Sequence, residues 1–489
     1  MVKPFAMRRI VILLTLICTI YCAKAQQSIT FDQAVAMAYE ANLTLKGAEY
    51  DMLVADYEKR VAEGLYFPQI EIVGGYMLMQ RDAKIDILGD NGVANNIANT
   101  LINSGISSGI LTPDIAQAID GILAPLNSID LSYILQKRSV GVTAAKLTMP
   151  IYVGGKIRAA NRVADIERSV VERQMATIEN HLYTTLVEQY YGVVVLQYAV
   201  GVRMSVVDAV KQHLSDAIAM EEAGEVAHSV VLGVEYRLAE VKQELLAEQH
   251  HLYMAKRLLC STLNIDYDIN AVDRLFIDRA ILSLDYYTDN ALCLNPILAE
   301  ANLSLELVEE GVKVAQSELL PEVAVIGAVS LYCPNLSELV PRWAIGVEAS
   351  IPLFNGLKNV NDLKAAKARA LGVATKVEKA KSDIVLLVEN EYYNVINALE
   401  EITTAEVSMR LADSYYHSAE DGFKAGVVPY SELMDVQVNL SASKLSYINS
   451  VYNYSLSLAR LLEASGLSST LIEYRDNGAP IDIEYSLFR

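Results

Sequence analysis

Glu432 and Asp435 stand three residues apart, a spacing that puts two carboxylates on one face of a helix. They head a polar series, Glu432, Asp435, Asn439, Ser443, Ser446 and Ser450, whose three-four spacing makes a wet stripe along one side. Such carboxylates attract cations. The other reactive residue types assemble less. Lys156 follows Gly154 and Gly155, but the spacing matches no phosphate-cradling loop. His250 and His251 are adjacent, so on a helix they point apart, and no third ligand lies at a zinc-like distance. Met77 and Met79 share one face of a strand and are read as lipid-facing or packed rather than as soft-metal ligands. No Ser-His-Asp order, nucleotide loop or paired-carboxylate cleft emerges. The expectation is a protein with no catalytic residue, cofactor or resident metal.

The elements that position these residues are written twice. "MPIYVGGK" at 149–156 returns as "IPLFNGLK" at 351–358, an offset of 202 that also carries Gly224 onto Gly426, Leu238 onto Leu440 and Leu259 onto Leu461. Upstream the offset is 253, carrying Asn42-Leu43 onto Asn295-Pro296 and Phe67-Pro68-Gln69-Ile70 onto Leu320-Pro321-Glu322-Val323. Two constant offsets define a tandem repeat, 26–270 and 271–470, followed by a tail, 471–489. The difference between them is a 51-residue insertion in the first repeat.

The start of the chain reads as a secretory signal over 1–25. Lys3, Arg8 and Arg9 precede an apolar run, and Ala23-Lys24-Ala25 supplies the cleavage pattern, with Ala25 the last residue removed. The net charge of −20 then becomes −24, with 36 basic against 60 acidic residues, a surface poorly suited to nucleic acid. Cys260, Cys293 and Cys333 remain, an odd set without paired spacing, so the fold is expected to hold without disulfides.

Lys156 to Glu222 contains no proline and would span about 100 Å as a helix. A chain reversal near Gly224 follows, then apolar residues at Val231, Val234, Leu238, Val241, Leu245, Leu252, Ala255 and Leu259. That is a heptad seam. The second repeat runs from Leu357 to about Ala425, turns near Gly426, and continues with Leu433, Val436, Leu440, Tyr447, Val451, Tyr454 and Leu458. Each repeat therefore holds a long antiparallel helix pair. Short β-like runs marked off by proline separate the helices: Ile70–Tyr76, Val140–Met149 ending at Pro150, Val323–Val329, and Trp343–Ile351 ending at Pro352. Four strands are too few for a barrel and leave two edges bare, whereas three chains supply twelve. The alternative is a secreted coiled-coil scaffold without a pore.

At Pro150-Ile151-Tyr152-x-Gly154-Gly155-Lys156 and Pro352-Leu353-Phe354-x-Gly356 the chain resembles TolC-type outer-membrane channel proteins. Asn295-Pro296, Phe423-Lys424-Ala425-Gly426 and Glu432-Leu433-Met434-Asp435 are similar to the same family, and the likeness covers Ser28 to about Leu467. The resemblance implies a mostly α fold with a small β part. Long antiparallel helices would form a periplasmic α-barrel, and four strands per chain would join a trimeric 12-stranded transmembrane β-barrel. It also implies an outer-membrane exit duct of a Gram-negative bacterium, extending into the periplasm and passing small molecules or proteins. A periplasmic adaptor (membrane fusion protein) and an inner-membrane transporter would be its partners. Residue by residue, Glu432 and Asp435 align with an acidic ring at the periplasmic entrance, and Phe423 with an aromatic that helps hold it shut. The turns at Gly224 and Gly426 align with the adaptor-docking tips. The chain departs from the pattern at Ser229 and Val230, where a hydroxyl and an acid would join the closing bonds. It departs again at Val428, where a basic residue is expected, so closure is expected to rest on packing by Phe423 and Val428.

One segment exceeds the pattern. Arg81 to Lys137 stands where the second repeat has only Cys333–Arg342. It carries Ile97, Leu101, Ile102, Ile106, Ile110 and Leu111, then Ile115, Ile119, Ile122 and Leu123, which predicts two short amphipathic helices forming an extracellular cap. Tyr66, Tyr76, Tyr133, Tyr152 and Tyr332 near strand ends suit an interfacial aromatic girdle, and Tyr190, Tyr191, Tyr392 and Tyr393 fall mid-helix as packing residues.

Overall fold

The computed structural model describes residues 27–87, 92–109, 111–127 and 131–481. The expected signal segment with Ala25, Ile110 and the last eight residues of the tail lie outside the described residues.

Four helices of the first repeat recur in the second at the same lengths. Helices α1 (Phe31–Ala41) and α2 (Leu43–Gly64) recur as α7 (Leu284–Leu294) and α8 (Pro296–Ser317), shifted by 253. The 67-residue α5 (Lys156–Glu222) and 35-residue α6 (His228–Thr262) recur as α9 (Lys358–Lys424) and α10 (Tyr430–Ala464), shifted by 202. Local chemistry sets the boundaries. A capping box starts α1, with Thr30 Oγ1 accepting from the Gln33 amide at 3.3 Å and Gln33 Oε1 from the Thr30 amide at 3.0 Å. Asn42 and Asn295 occupy matching places and do matching work. Each side-chain oxygen accepts from the first amides of the next helix, Thr44 and Leu45 or Ile297 and Leu298. Each side-chain amide donates to the last carbonyls of the long helix pair, Thr262 O at 3.1 Å or Ala464 O at 2.8 Å. The Asn-Leu and Asn-Pro motifs thus fasten helix ends in both repeats.

One compact unit comprises Met1–Glu58, Ala164–Glu309 and Ala368–Arg489. Its core is aromatic at the centre. Phe31 meets Tyr183 and Tyr190 edge-on and stacks on Tyr191 at 5.5 Å, and Phe276 joins Tyr191 to Tyr454. Two small sheets are held against this cluster: parallel β1 (Gln27–Ile29) with β6 (Ile269–Ala271), and antiparallel β7 (Phe276–Ile277) with β10 (Ala479–Pro480). Tyr190 Oη donates to Ile29 O at 2.8 Å and Tyr454 Oη to Asp278 O at 2.6 Å, so these two hydroxyls are satisfied by backbone carbonyls, whereas the buried hydroxyls of Tyr183 and Tyr191 find no partner. Helix α11 (Leu471–Asn477) closes the segment, with Arg475 forked onto Asp32 at 2.7 and 3.1 Å. Every seam position expected from the heptads is buried or half-buried.

The other unit comprises Lys59–Val163 and Glu310–Lys367. It holds a four-stranded antiparallel sheet in the order β2 (Gln69–Leu78), β5 (Ser139–Val153), β8 (Glu322–Tyr332), β9 (Trp343–Ser350). Pro150 does not end β5, contrary to expectation. The strand runs three residues further, because a register shift between Pro150 and Tyr152 absorbs the proline, and it does so beyond Thr148, the last residue paired to β2. The insertion contains the two expected helices, α3 (Val93–Ser107) and α4 (Pro113–Asn127). It also contains an unforeseen pair of strands, β3 (Ala83–Asp86) with β4 (Ser132–Gln136).

Candidate functional site

The sheet sorts its side chains by face. Directly paired residues point the same way, so Glu71, Lys146, Ala328 and Ala344 share one face, as do Ala324 and Glu348. Lys146 Nζ donates to Glu71 Oε1 at 3.1 Å there. The opposite face carries Ile70, Ile72, Tyr76 and Leu78 from β2, Leu147 from β5, Val325 and Val329 from β8, and Trp343, Ile345 and Val347 from β9. Met77 pairs with Val140 and lies on the Glu71 face. One face suits lipid and the other water. Tyr66, Tyr76, Tyr133, Tyr152 and Tyr332 are all exposed.

Both strand-to-helix motifs are left-handed turns. Gly154 has φ +62° and Gly155 +89°, and the second repeat has Gly356 at +70° followed by Leu357 at +63°. Their surroundings differ. A Cβ on Gly154 would lie 2.7 Å from Ser317 O, whereas one on Gly356 meets nothing within 4 Å. Pro352 lies just past β9, in a cleft of about 460 Å³ lined also by Lys156, Lys358, Glu318 and Glu322. The two motif lysines therefore share that cleft with two carboxylates.

The helical turns share one backbone and differ in side chains. Gly224 (φ +78°) and Gly426 (φ +73°) each end a long helix, and in each the following amide bonds back five residues, Glu225 N to Met220 O and Val427 N to Gly422 O, both at 2.9 Å. At the first turn His228 Nδ1 lies 2.8 Å from Glu221 Oε1. At the second, Phe423 is buried and meets Tyr430 edge-on at 6.1 Å, in a cluster with Val210, Val234 and Leu433. Val428 packs against the same cluster. Gly422, which sequence reasoning missed, makes this possible: a Cβ there would sit 2.6 Å from Val428 Cγ2. The available signal was a Gly at the position where the first repeat has Met220.

Glu432 and Asp435 are both exposed on the first turns of α10, and Tyr415 Oη donates to Glu432 Oε1 at 3.2 Å. That bond raises the Tyr415 hydroxyl pKa above its ordinary value. Asn439 and Ser446 continue the exposed stripe, but Ser450 does not. Its hydroxyl is fully buried and donates to Tyr447 O at 2.9 Å. Nearby on α5, His213 is buried with no partner for Nε2. Burial lowers its pKa; Lys424 pushes the same way, and Glu420 and Asp216 oppose.

Residues 288–467, essentially the second repeat, match the family model described as outer membrane efflux protein. Outer membrane protein TolC of Escherichia coli K12 is 22% identical over 186 residues, 35% of this chain and 38% of its own. The match thus spans less than half of that relative. The cobalt-zinc-cadmium resistance protein CzcC of Cupriavidus metallidurans is 22% identical over 323 residues, 64% of this chain and 74% of its own. Among solved structures, the CmeC outer membrane channel of Campylobacter jejuni superposes with a TM-score of 0.66 at 13% identity, covering 91% of this chain and 89% of that one. At that identity the likeness establishes fold, and it runs through both repeats. The second repeat of the chain thus matches the outer membrane efflux protein family, and both repeats share the fold of its solved channels.

Proposed function

We propose that the protein is a homotrimeric channel-tunnel of the Gram-negative outer membrane, the passive exit duct of a tripartite efflux pump or a type I secretion system. The observation that carries this reading is the sheet: one apolar face, one polar face, and two edges, β2 and β9, that lack a second strand among the described residues. Bare edges are intolerable in lipid, and twelve strands from three chains remove them. The apolar face then meets outer-membrane lipid, and Glu71, Lys146 and Glu348 line the lumen. No step in this function requires a catalytic group.

In the same reading Glu432 and Asp435, multiplied by threefold symmetry, form an acidic constriction that favours cations. Phe423 and Val428 hold it narrow by packing. The turns at Gly224 and Gly426 receive a periplasmic adaptor that links the duct to an inner-membrane transporter. Replacing either glycine with Val is expected to abolish export while trimers still assemble; normal export in both variants removes the docking assignment. The architecture is tested by fractionating cells and weighing the detergent-extracted protein by native mass spectrometry. A trimer in the outer-membrane fraction is expected, and a soluble monomer would favour the poreless scaffold.

A further inference from the structure

Residues 269–275 alternate in burial, with Ile269, Ala271 and Leu275 inside and Val272 and Arg274 exposed. The two edges of this run are used differently. β1 takes one edge through even-numbered positions: Gln27 N donates to Asp268 O at 3.2 Å and Val272 N to Ile29 O at 3.3 Å. β10 takes the other, antiparallel to β7, and the last bond there is Ile481 N to Leu275 O at 2.9 Å. Beyond it, among the described residues, no strand lies along β6 on this side. A groove of about 590 Å³ opens at that point, lined by Tyr198, Gly201 and Met204 of α5, Leu252 of α6, and Val272 and Asp273. The second repeat bridges the matching place: Arg279 Nη1 donates to Thr403 Oγ1 at 3.3 Å, and Thr403 is Gly201 shifted by 202. A Cβ on Gly201 itself would meet nothing within 4 Å.

We infer that residues 482–487 of the same chain continue β10 along this edge and fill the groove with Ile483, Tyr485 and Leu487. The sequence after β10 reads Ile481-Asp482-Ile483-Glu484-Tyr485-Ser486-Leu487, an unbroken apolar-polar alternation with the period of a strand that buries one face. The observed pairs, Ala479 with Ile277 and Pro480 with Phe276, fix the register. Carried forward, it sets Asp482 opposite Arg274, Ile483 opposite Asp273, Glu484 opposite Val272 and Tyr485 opposite Ala271. Opposed residues share a face, so Ile483 and Tyr485 fall on the buried side with Leu275 and Ala271, and Asp482 meets Arg274 in water. A slip of one residue would bury Asp482 and Glu484 instead.

Hydrogen-bond parity and length agree with this placement. The bond at Leu275 puts the next bonding positions at Asp273 and Ala271, the odd-numbered residues that β1 does not use. Asp273 N already donates to Tyr190 Oη at 3.1 Å, so that pair contributes the Asp273 carbonyl alone. Tyr190 lies beside Asp273, and Gln197 Nε2 lies 3.5 Å from Asn270 Oδ1, so a strand running from Leu275 towards Ala271 climbs α5 towards Gly201 and Met204. Residues 482–487 reach about 20 Å when extended. The stretch of α5 from Tyr190 to Met204 is about 21 Å long. Ile481 is held at Leu275, two residues from Asp273, so the chain's own tail enters the groove without a linker. The end of the second repeat is thereby clasped to a helix of the first, independently of the duct reading above.

The test is disulfide trapping in the full chain, with Cys260, Cys293 and Cys333 first replaced by Ala. Val272→Cys is combined in turn with Asp482→Cys, Glu484→Cys and Ser486→Cys, three positions on one strand face. Ile277→Cys with Ala479→Cys, paired directly in the structure, reports that a bond closes in this ladder. Mass spectrometry of unreduced digests identifies the bond, and a non-reducing gel tells bonds within a chain from bonds between chains. The expected result is a within-chain bond for the Glu484 pair, about tenfold more abundant than for the Asp482 or Ser486 pairs, whose geometry is too long to bridge. In the Ile483→Asp, Tyr485→Asp double variant, amide exchange at Ala271 should quicken about tenfold while the buried stretch of α10 stays protected. Trapping through Asp482 or Ser486, or through none while the control pair closes, overturns the register. A bond between chains gives the groove to a second copy's tail and overturns the clasp within one chain. Unchanged exchange at Ala271 overturns the docking itself.

Discussion

The turn after α5 and the turn after α9 have the same backbone and different coverings. Gly224 and Gly426 adopt nearly the same left-handed conformation and close the same backward hydrogen bond. Over the first turn lies an exposed Glu221–His228 pair; over the second, Val428 and Phe423 fold onto the core because Gly422 leaves room. Backbone reversal and packing are thus separate inventions. Duplication preserved the reversal and left the covering free to specialise, and the acidic pair Glu432 and Asp435 lies beside the packed turn.

Substitutions at matched positions sharpen that contrast. The largest difference is expected at the strand-to-helix turns. Gly154→Val meets both the left-handed penalty of about 1–2 kcal/mol and a backbone clash with Ser317 O, whereas Gly356→Val meets only the penalty within its own chain. Pulsed proteolysis of the β-sheet should find the first variant unfolded and the second protected; equal protection would show that the repeats are not differently packed there. Next come the fastening asparagines. Asn295→Ala leaves buried groups unpaired at a cost of about 1–3 kcal/mol, and Asn42→Ala, at a more exposed site, less. Thermal unfolding of the two variants should rank them in that order.

A smaller, local effect is expected at the packed turn. Gly422→Val displaces Val428, an overpacking worth about 1–3 kcal/mol, while Met220→Val at the twin position is tolerated. Hydrogen exchange over 420–430 should quicken in the first variant and not in the second. The smallest effect is pH-dependent. The folded pKa of His213 is lowered, mainly by burial, so its contribution is intact above the unfolded value of 6.5 and is lost as pH falls through 6.5 towards the folded pKa. Protection factors around the second turn, with the base-catalysed intrinsic rate divided out, should fall between pH 7.5 and 5.5, and His213→Gln should remove most of that fall. A fall that persists unchanged assigns it to another group.

Most of the fold was legible because glycine and proline mark where periodic segments stop. Residues 156–222 were read as one helix to the residue, and two constant offsets gave the second repeat. What escaped depended on neighbours. Pro150 reads as a strand end, yet β8 pairs with the strand on both sides of a bulge that periodicity cannot reveal. Ser450 lies at the angle of the polar stripe, yet around Ile448, Val451 and Tyr454 the larger core covers α10 and encloses it. Gly422 is one glycine inside a helix until Val428 is seen leaning on it. The strands β3 and β4 were missed because short runs beside an insertion carry little alternation. Of the candidate site, the sequence supplied Glu432, Asp435 and Phe423, while the Tyr415 bond to Glu432 and the burial of His213 in the field of Glu420 and Lys424 emerge only in three dimensions.

The central claim is a water-filled duct with an acidic entrance built beside the second turn. Its most direct test is single-channel recording of purified trimer in planar bilayers under a KCl gradient. The account predicts stepwise, cation-preferring currents blocked by multivalent cations, with preference and block both weakened in the Glu432→Ala, Asp435→Ala double variant. Trimers that insert and carry no current would contradict the duct, and unchanged selectivity and block in the double variant would contradict the acidic ring.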